Sequence, residues 1–229
     1  MAKTGQHIDS SPRAGRAQHP QGLPTLRAVF AELLLVCLLV TLVPVTVYLD
    51  SAVWGDGVTE DSVTEHLHNT LLAIAAALFA LGAYQHMELR GYLTLTATLF
   101  TCMFLREYDA AFDRIRHGFW IYPALAVLLI GIWIAWRNRG TTRLPLLHHL
   151  ATRSATFVYI GIVLLLFFSR LFGTSALWEA VMGAAYLPQV KTTVQEGTEL
   201  LAYLLIAYGA VLSHLQGYGA HAPLQEPRG

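Results

Sequence analysis

Apolar residues fall in six long blocks along the chain, separated by short stretches rich in charge, glycine or proline. A helix needs about 20 residues to cross about 30 Å of hydrocarbon. The blocks at 28–49, 63–84, 91–108, 118–136, 154–172 and 194–215 are close to that length. Glu32 is the one charge in the first block, and the fourth carries none. No segment shows the ten-residue alternation of a membrane barrel. A backbone in lipid must satisfy its own hydrogen bonds, so helices are the default. The pattern therefore predicts an all-α polytopic membrane protein, a bundle of six transmembrane helices spanning 28–215. Residues 1–27, with Pro12, Pro20 and Pro24, read as a disordered polar tail, and 216–229 as a second one. The first block is too long for a signal sequence and lacks a small-residue cleavage site after it, so it reads as a retained anchor. The stretch 175–187, where Trp178 and Tyr186 flank small and apolar residues, reads as a short interfacial helix.

Composition agrees with this reading. Charged residues make up 13% of the chain and hydrophobic ones 55%, with a mean hydropathy of +0.47. Soluble domains carry about 25% charged residues. The deficit excludes a soluble monomer, a disordered chain and a nucleic-acid binder. Cys37 and Cys102 lie inside apolar blocks and read as small apolar residues rather than a disulfide or metal pair.

The placement of charge is more telling than its amount. With six spans both termini share a side. That side holds Lys3, Arg13, Arg16, Arg27, Arg90, Arg137, Arg139, Arg143, Arg153 and Arg228, ten in all. The opposite side holds Arg106, Arg114, Arg116, Arg170 and Lys191, five in all. The basic bias makes the first side cytoplasmic. Trp133 and Trp136 at the cytoplasmic end, and Trp54, Trp120 and Trp178 at the outer end, fit an aromatic belt. The acids run the other way. Asp9, Glu32, Glu88 and Glu226 fall inside, while Asp50, Asp56, Glu60, Asp61, Glu65, Glu107, Asp109, Asp113, Glu179, Glu196 and Glu199, eleven of fifteen, fall outside. Asp50 to Asp61 read as a solvated loop, and the rest sit at helix ends.

Those ends carry the candidate chemistry. Span two opens with Glu65, His66, His68 and Asn69, and the spacing puts Glu65 and His68 on one helix face. Span three closes with Arg106, Glu107, Asp109 and Asp113. If that helix continues, Arg106, Asp109 and Asp113 share a face. His117 precedes span four, span five closes with Ser169 and Arg170, and span six opens with Glu196 and Glu199, Tyr203 following one turn on. The topology brings all of these to similar depth near the outer interface. Glu-x-x-His on one helix and Glu-x-x-Glu on another resemble the ligand sets that helical bundles offer a divalent metal. Carboxylate and imidazole suit zinc, iron or manganese. In this reading Glu65, His68, Glu196 and Glu199 are metal ligands. Asp109 or Asp113 is a catalytic base, Arg106 an anion clamp, and His117 a spare ligand or acid. The reaction would be metal-assisted hydrolysis or transfer on a lipid or lipid-linked substrate.

Two other readings stand beside it. Acids in the first turn of a helix complement its dipole and cap free amides, which would account for Glu65, Glu196 and Glu199 as structure. Arg106 and Arg170 would then make structural ion pairs. A channel, carrier or membrane-complex subunit would use the same groups as an ion or proton path. Against a carrier, no charge falls at the expected midplane and no inverted repeat is visible. His148 and His149 read as interfacial loop residues.

The run Arg106-Glu107-x-Asp109-x-x-x-Asp113 followed by Trp120, with Glu196-x-x-Glu199-Leu200-x-x-Tyr203, resembles patterns in uncharacterised bacterial multi-pass inner-membrane proteins. It covers two short segments, and it implies a bacterial origin and no assigned activity. Metal-dependent membrane hydrolases of the ceramidase and adiponectin-receptor type have seven spans with His-x-x-x-His in the last. The last span here offers only His214, so that membership does not follow.

Overall fold

The computed structural model describes residues 25–53 and 62–219. Of the predicted tails, 1–27 and 216–229, residues 1–24 and 220–229 lie outside the described residues, as do Trp54, Asp56, Glu60 and Asp61 of the first loop. Leu26 and Arg27 instead open a helix, and Gly217–Gly219 form a 3-10 turn with Tyr218 buried. Every regular element among the described residues is helical. Helix α1 covers Leu26–Tyr48 and runs into a π turn, Leu49–Val53. Helix α2 is Val63–Gln85, α3 is Arg90–Glu107, α4 is the short Asp109–Asp113, and α5 is Ile121–Arg137. Helix α6, Arg143–Leu150, precedes α7, Arg153–Val163, which passes through a π turn, Leu164–Phe168, into α8, Ser169–Phe172. Helix α9 is Ser175–Met182 and α10 is Pro188–Leu215.

Among the described residues, four helical stretches are long and apolar enough to cross a membrane: 26–52, 63–85, 153–172 and 188–215. A fifth arises if α5 and the segment after it, bent by 93°, count as one. Helix α3 carries Arg90, Arg106 and Glu107 at its ends, which lowers its apolar character. The chain divides into two compact units at Cys37. In the first, the described residues are the apolar opening of α1, mostly exposed. In the second, α2, α3 and α10 enclose the core, with α5 against α3 and α7 against α10.

Helical spacing explains the core. On α2 the residues His68, Leu72, Ala75 and Phe79 recur every three or four positions and are all fully buried. On α10 the matching stripe is Glu199, Tyr203, Ile206, Ala210 and Ser213, again buried throughout. Each stripe begins polar and turns apolar, so one end of the core is built from ionisable groups and its middle is not. Helices α7 and α10 approach closely because glycine faces backbone. A Cβ on Gly161 would lie 2.7 Å from the Ala202 carbonyl oxygen, and one on Gly209 would lie 2.8 Å from that of Ser154.

Three expectations change. Helix α10 begins at Pro188, so Glu196 and Glu199 are two to three turns inside it and not at its first turn. Helix α3 stops at Glu107, where Tyr108 leaves helical geometry (φ −89°, ψ 18°), so the predicted face through Arg106, Asp109 and Asp113 is broken. His149 is not an interfacial loop residue. It is buried, its ring 6.2 Å from that of Phe79 and 5.5 Å from that of Tyr92. In the stretch 175–187, a helix forms over Ser175–Met182.

Candidate functional site

The start of α2 is fixed before its acidic residue is needed. The Ser62 hydroxyl accepts the Glu65 amide at 3.2 Å. Asp50, buried rather than solvated, accepts the Val63 amide at 3.0 Å through Oδ1. Its Oδ2 accepts the Thr64 amide at 3.0 Å and the Thr64 hydroxyl at 2.6 Å. These bonds satisfy the free amides of the first turn. The Glu65 carboxylate is left to point elsewhere: Asn69 Nδ2 donates to it at 3.4 Å, and it lies 3.8 Å from His68 Nδ1.

Helix α10 supplies two more acids. Glu196 lies 3.9 Å from His68 Nδ1. Glu199 is buried, and its Oε1 accepts from the Ser169 hydroxyl at 3.0 Å and from Gln195 Nε2 at 3.1 Å. Helix α3 supplies Glu107, whose Oε1 accepts from Arg106 Nη1 at 3.1 Å and from the Tyr203 hydroxyl at 3.0 Å. Two triads that could hold a metal ion result, Glu65–His68–Glu107 and His68–Glu196–Glu199, each with its donor atoms within 4.8 Å of one another. His68 belongs to both.

His68 is fully buried, its ring centroid 5.0 Å from that of Tyr203, and neither ring nitrogen has a hydrogen-bond partner. An imidazole always carries at least one N–H, and buried polar groups are paired almost without exception. An unsatisfied buried donor or acceptor costs about 1–3 kcal/mol. The nearby carboxylate oxygens stand beyond hydrogen-bond length, at 3.8 and 3.9 Å, which leaves room for a bridging group between nitrogen and oxygen.

A cavity of 420 Å³ opens in front of these residues. Glu65, Glu107, Glu196 and Glu199 line its inner wall, with Asn69 and Gln195; Arg106, Asp109 and Arg114 lie at its edge. Of the residues singled out from the sequence, Glu65, His68, Glu196, Glu199, Arg106 and Asp109 come together. Asp113 and His117 do not join them. Broken from α3, they pair with each other at 2.8 Å beside a second cavity of 530 Å³, which shares Asp109 with the first. The Gly118 amide, donating to Asp113 Oδ1 at 2.8 Å, together with His117 holds the Asp113 carboxyl below the usual aspartate range.

Sequence reasoning gave Glu107 no role, although it belongs to one triad and anchors Tyr203. It also passed over Gln195, whose spacing of four from Glu199 on one helix is the signal that could have found it. The class defined by fold and site is an all-helical protein with apolar, span-length helices and a carboxylate–imidazole cluster at one end of its core. Comparison with protein-family models, curated proteins and solved structures gives no match for this chain.

Proposed function

We propose that the chain is a six-span integral protein of a bacterial inner membrane, with both termini cytoplasmic. Its carboxylate–imidazole cluster faces the periplasm and holds a divalent cation for hydrolysis or group transfer on a lipid-like substrate. Large apolar side chains stay exposed along the helices, among them Leu33, Leu34 and Leu38 on α1, Leu129 and Ile130 on α5, and Phe167 on the π turn. Such surface is costly in water and expected in lipid. The twofold excess of Lys and Arg on one side supports the orientation.

The observation that carries the cation reading is His68: fully buried, unpartnered at both nitrogens, and set among Glu65, Glu107, Glu196 and Glu199. The acids facing the cavity's inner wall outnumber the one guanidinium paired with them, Arg106 on Glu107. Positive charge from a bound ion meets both deficits at once. An imidazole and several carboxylates suit zinc, iron or manganese. A cation held there would polarise a carbonyl or phosphoryl oxygen and activate water, with a neighbouring carboxylate to accept the proton.

The first-turn explanation loses its ground for Glu196 and Glu199, whereas Glu65 does stand in the first turn of α2, where its charge complements the helix dipole. Glu196 and Glu199 are not in a first turn, and Ser62 with Asp50 already caps α2. An ion path finds little support, since below the cluster the core is closed by Leu72, Ala75, Phe79 and Phe100, all fully buried. The test is elemental analysis of the detergent-purified chain after exposure to zinc, iron or manganese, wild type against Glu199→Ala. Bound metal in the wild type and its loss in the variant supports the reading; no metal in the wild type under any of the three overturns it.

A further inference from the structure

The cavity in front of the cluster is charged in two zones. Its inner wall is acidic, and its exposed edge carries guanidiniums on two different elements: Arg106 at the end of α3 and Arg114 just after α4. Arg106 is half exposed and already bonded to Glu107. Arg114 is exposed, lines the cavity, and pairs with no carboxylate among the described residues. The adjoining cavity adds Arg116 beyond the shared Asp109. Helix α3 ends one residue after Arg106, the chain leaves helical geometry at Tyr108, and Arg114, following α4, lines the same cavity as Arg106.

We propose that this cavity takes a phosphate-bearing anion, its oxygens gripped by Arg106 and Arg114 at the mouth and its phosphorus presented to the cation-loaded cluster. Planar guanidiniums match phosphate oxygens in paired hydrogen bonds, and a cation beyond them completes a clamp around the group. The volume, 420 Å³, lies within the range of about 300–1,000 Å³ usual for ligand pockets and admits a head group or small ester without acyl chains. The inference rests on the cation reading, because the glutamates alone would repel a phosphate. Anion and cation must therefore bind with mutual reinforcement.

The experiment uses the full chain in detergent, zinc-loaded or stripped with chelator, and calorimetric titration with inorganic phosphate. Phosphate should bind the loaded protein at least tenfold more tightly than the stripped one. Arg114→Gln, at an exposed position, should weaken phosphate binding at least tenfold and leave the zinc titration unchanged. A second arm places the loaded protein in nanodiscs of phosphatidylcholine with or without phosphatidic acid. Displacement of phosphate by phosphatidic acid supports the proposal with a lipid head group as source, and phosphate binding unaffected by it supports the proposal with a soluble phosphate ester as source. Zinc binding without phosphate binding, or phosphate binding indifferent to Arg114→Gln, overturns this proposal and spares the cation reading. A protein that takes up no zinc, iron or manganese overturns both.

Discussion

Ser169 and Glu199, thirty residues apart in sequence, meet where α8 packs on α10: the serine hydroxyl donates to Glu199 Oε1 at 3.0 Å. It shares that proton with the Leu165 carbonyl, 2.9 Å away. The π turn Leu164–Phe168 sits immediately before Ser169 and rotates the last turn of this helix. Such single wide turns occur often at functional sites. With Gln195 on the same oxygen, Glu199 is held from one side, which leaves its Oε2 for a ligand.

Ser169→Ala should therefore weaken the cluster without dismantling it. The lost bond costs about 1 kcal/mol in stability. Loss of a group that orients a ligand typically lowers metal affinity by about 10–100-fold. Calorimetric zinc titration and a thermal melt of the variant check both; unchanged affinity would show that Glu199 is not a ligand oriented by Ser169.

His68→Phe separates packing from binding. Phenylalanine is apolar, similar in size and stacks against Tyr203, so it removes two unsatisfied nitrogens and keeps the core filled. Without added metal the variant should be as stable as the wild type or more so. With zinc at about 100 times its dissociation constant the wild type should gain about 2.7 kcal/mol and the variant nothing. Parallel melts with and without zinc read this difference.

The Asp113–His117–Gly118 turn should depend on acid. The carboxyl is held below its ordinary value of 3.8 by the Gly118 amide first and His117 second. A carboxyl lowered in the fold contributes to the turn above its ordinary value, and that contribution is lost as the pH falls through the lowered native value. The Gly118 amide resonance should therefore shift with a midpoint below 3.8, and Asp113→Asn should abolish the step. A midpoint at or above the ordinary value would contradict the bond.

Tyr218 offers a test at the opposite end. Backbone φ is positive there, at 55°, and the ring lies where a Cβ on Gly82 would stand. Its hydroxyl donates to the Leu78 carbonyl and sits 3.1 Å from His214 Nδ1. Burial pushes the phenol from 10.0 up to about 12. The fold favours the neutral phenol, so this contribution is complete below the ordinary tyrosine value and is lost as the pH rises from 10.0 to about 12. Ultraviolet titration should show a phenol ionising with a midpoint at about 12, absent in Tyr218→Phe, and that variant should lose about 1 kcal/mol.

The period of the apolar blocks determined the helical class, because burial in lipid or core demands it at every turn. Helix-face spacing determined that Glu65 and His68 lie side by side, and charge asymmetry marked one end of the helices as the acidic one. Whether those residues meet was decided by tertiary structure. Helix α10 begins six residues before the block it was read from, since Pro188 sits comfortably in a first turn although Gln189, Lys191, Thr192 and Thr193 after it are polar. That start places Glu196 and Glu199 in mid-helix and turns two apparent caps into wall residues. Helix α3 stops at Tyr108, which keeps Asp109 at the cavity and sends Asp113 to His117. Spacing along one helix could not reveal that Glu107 reaches Tyr203, or that the His68 ring nitrogens lack a hydrogen bond, because these depend on the distances between helices. Only the packed bundle sets those distances.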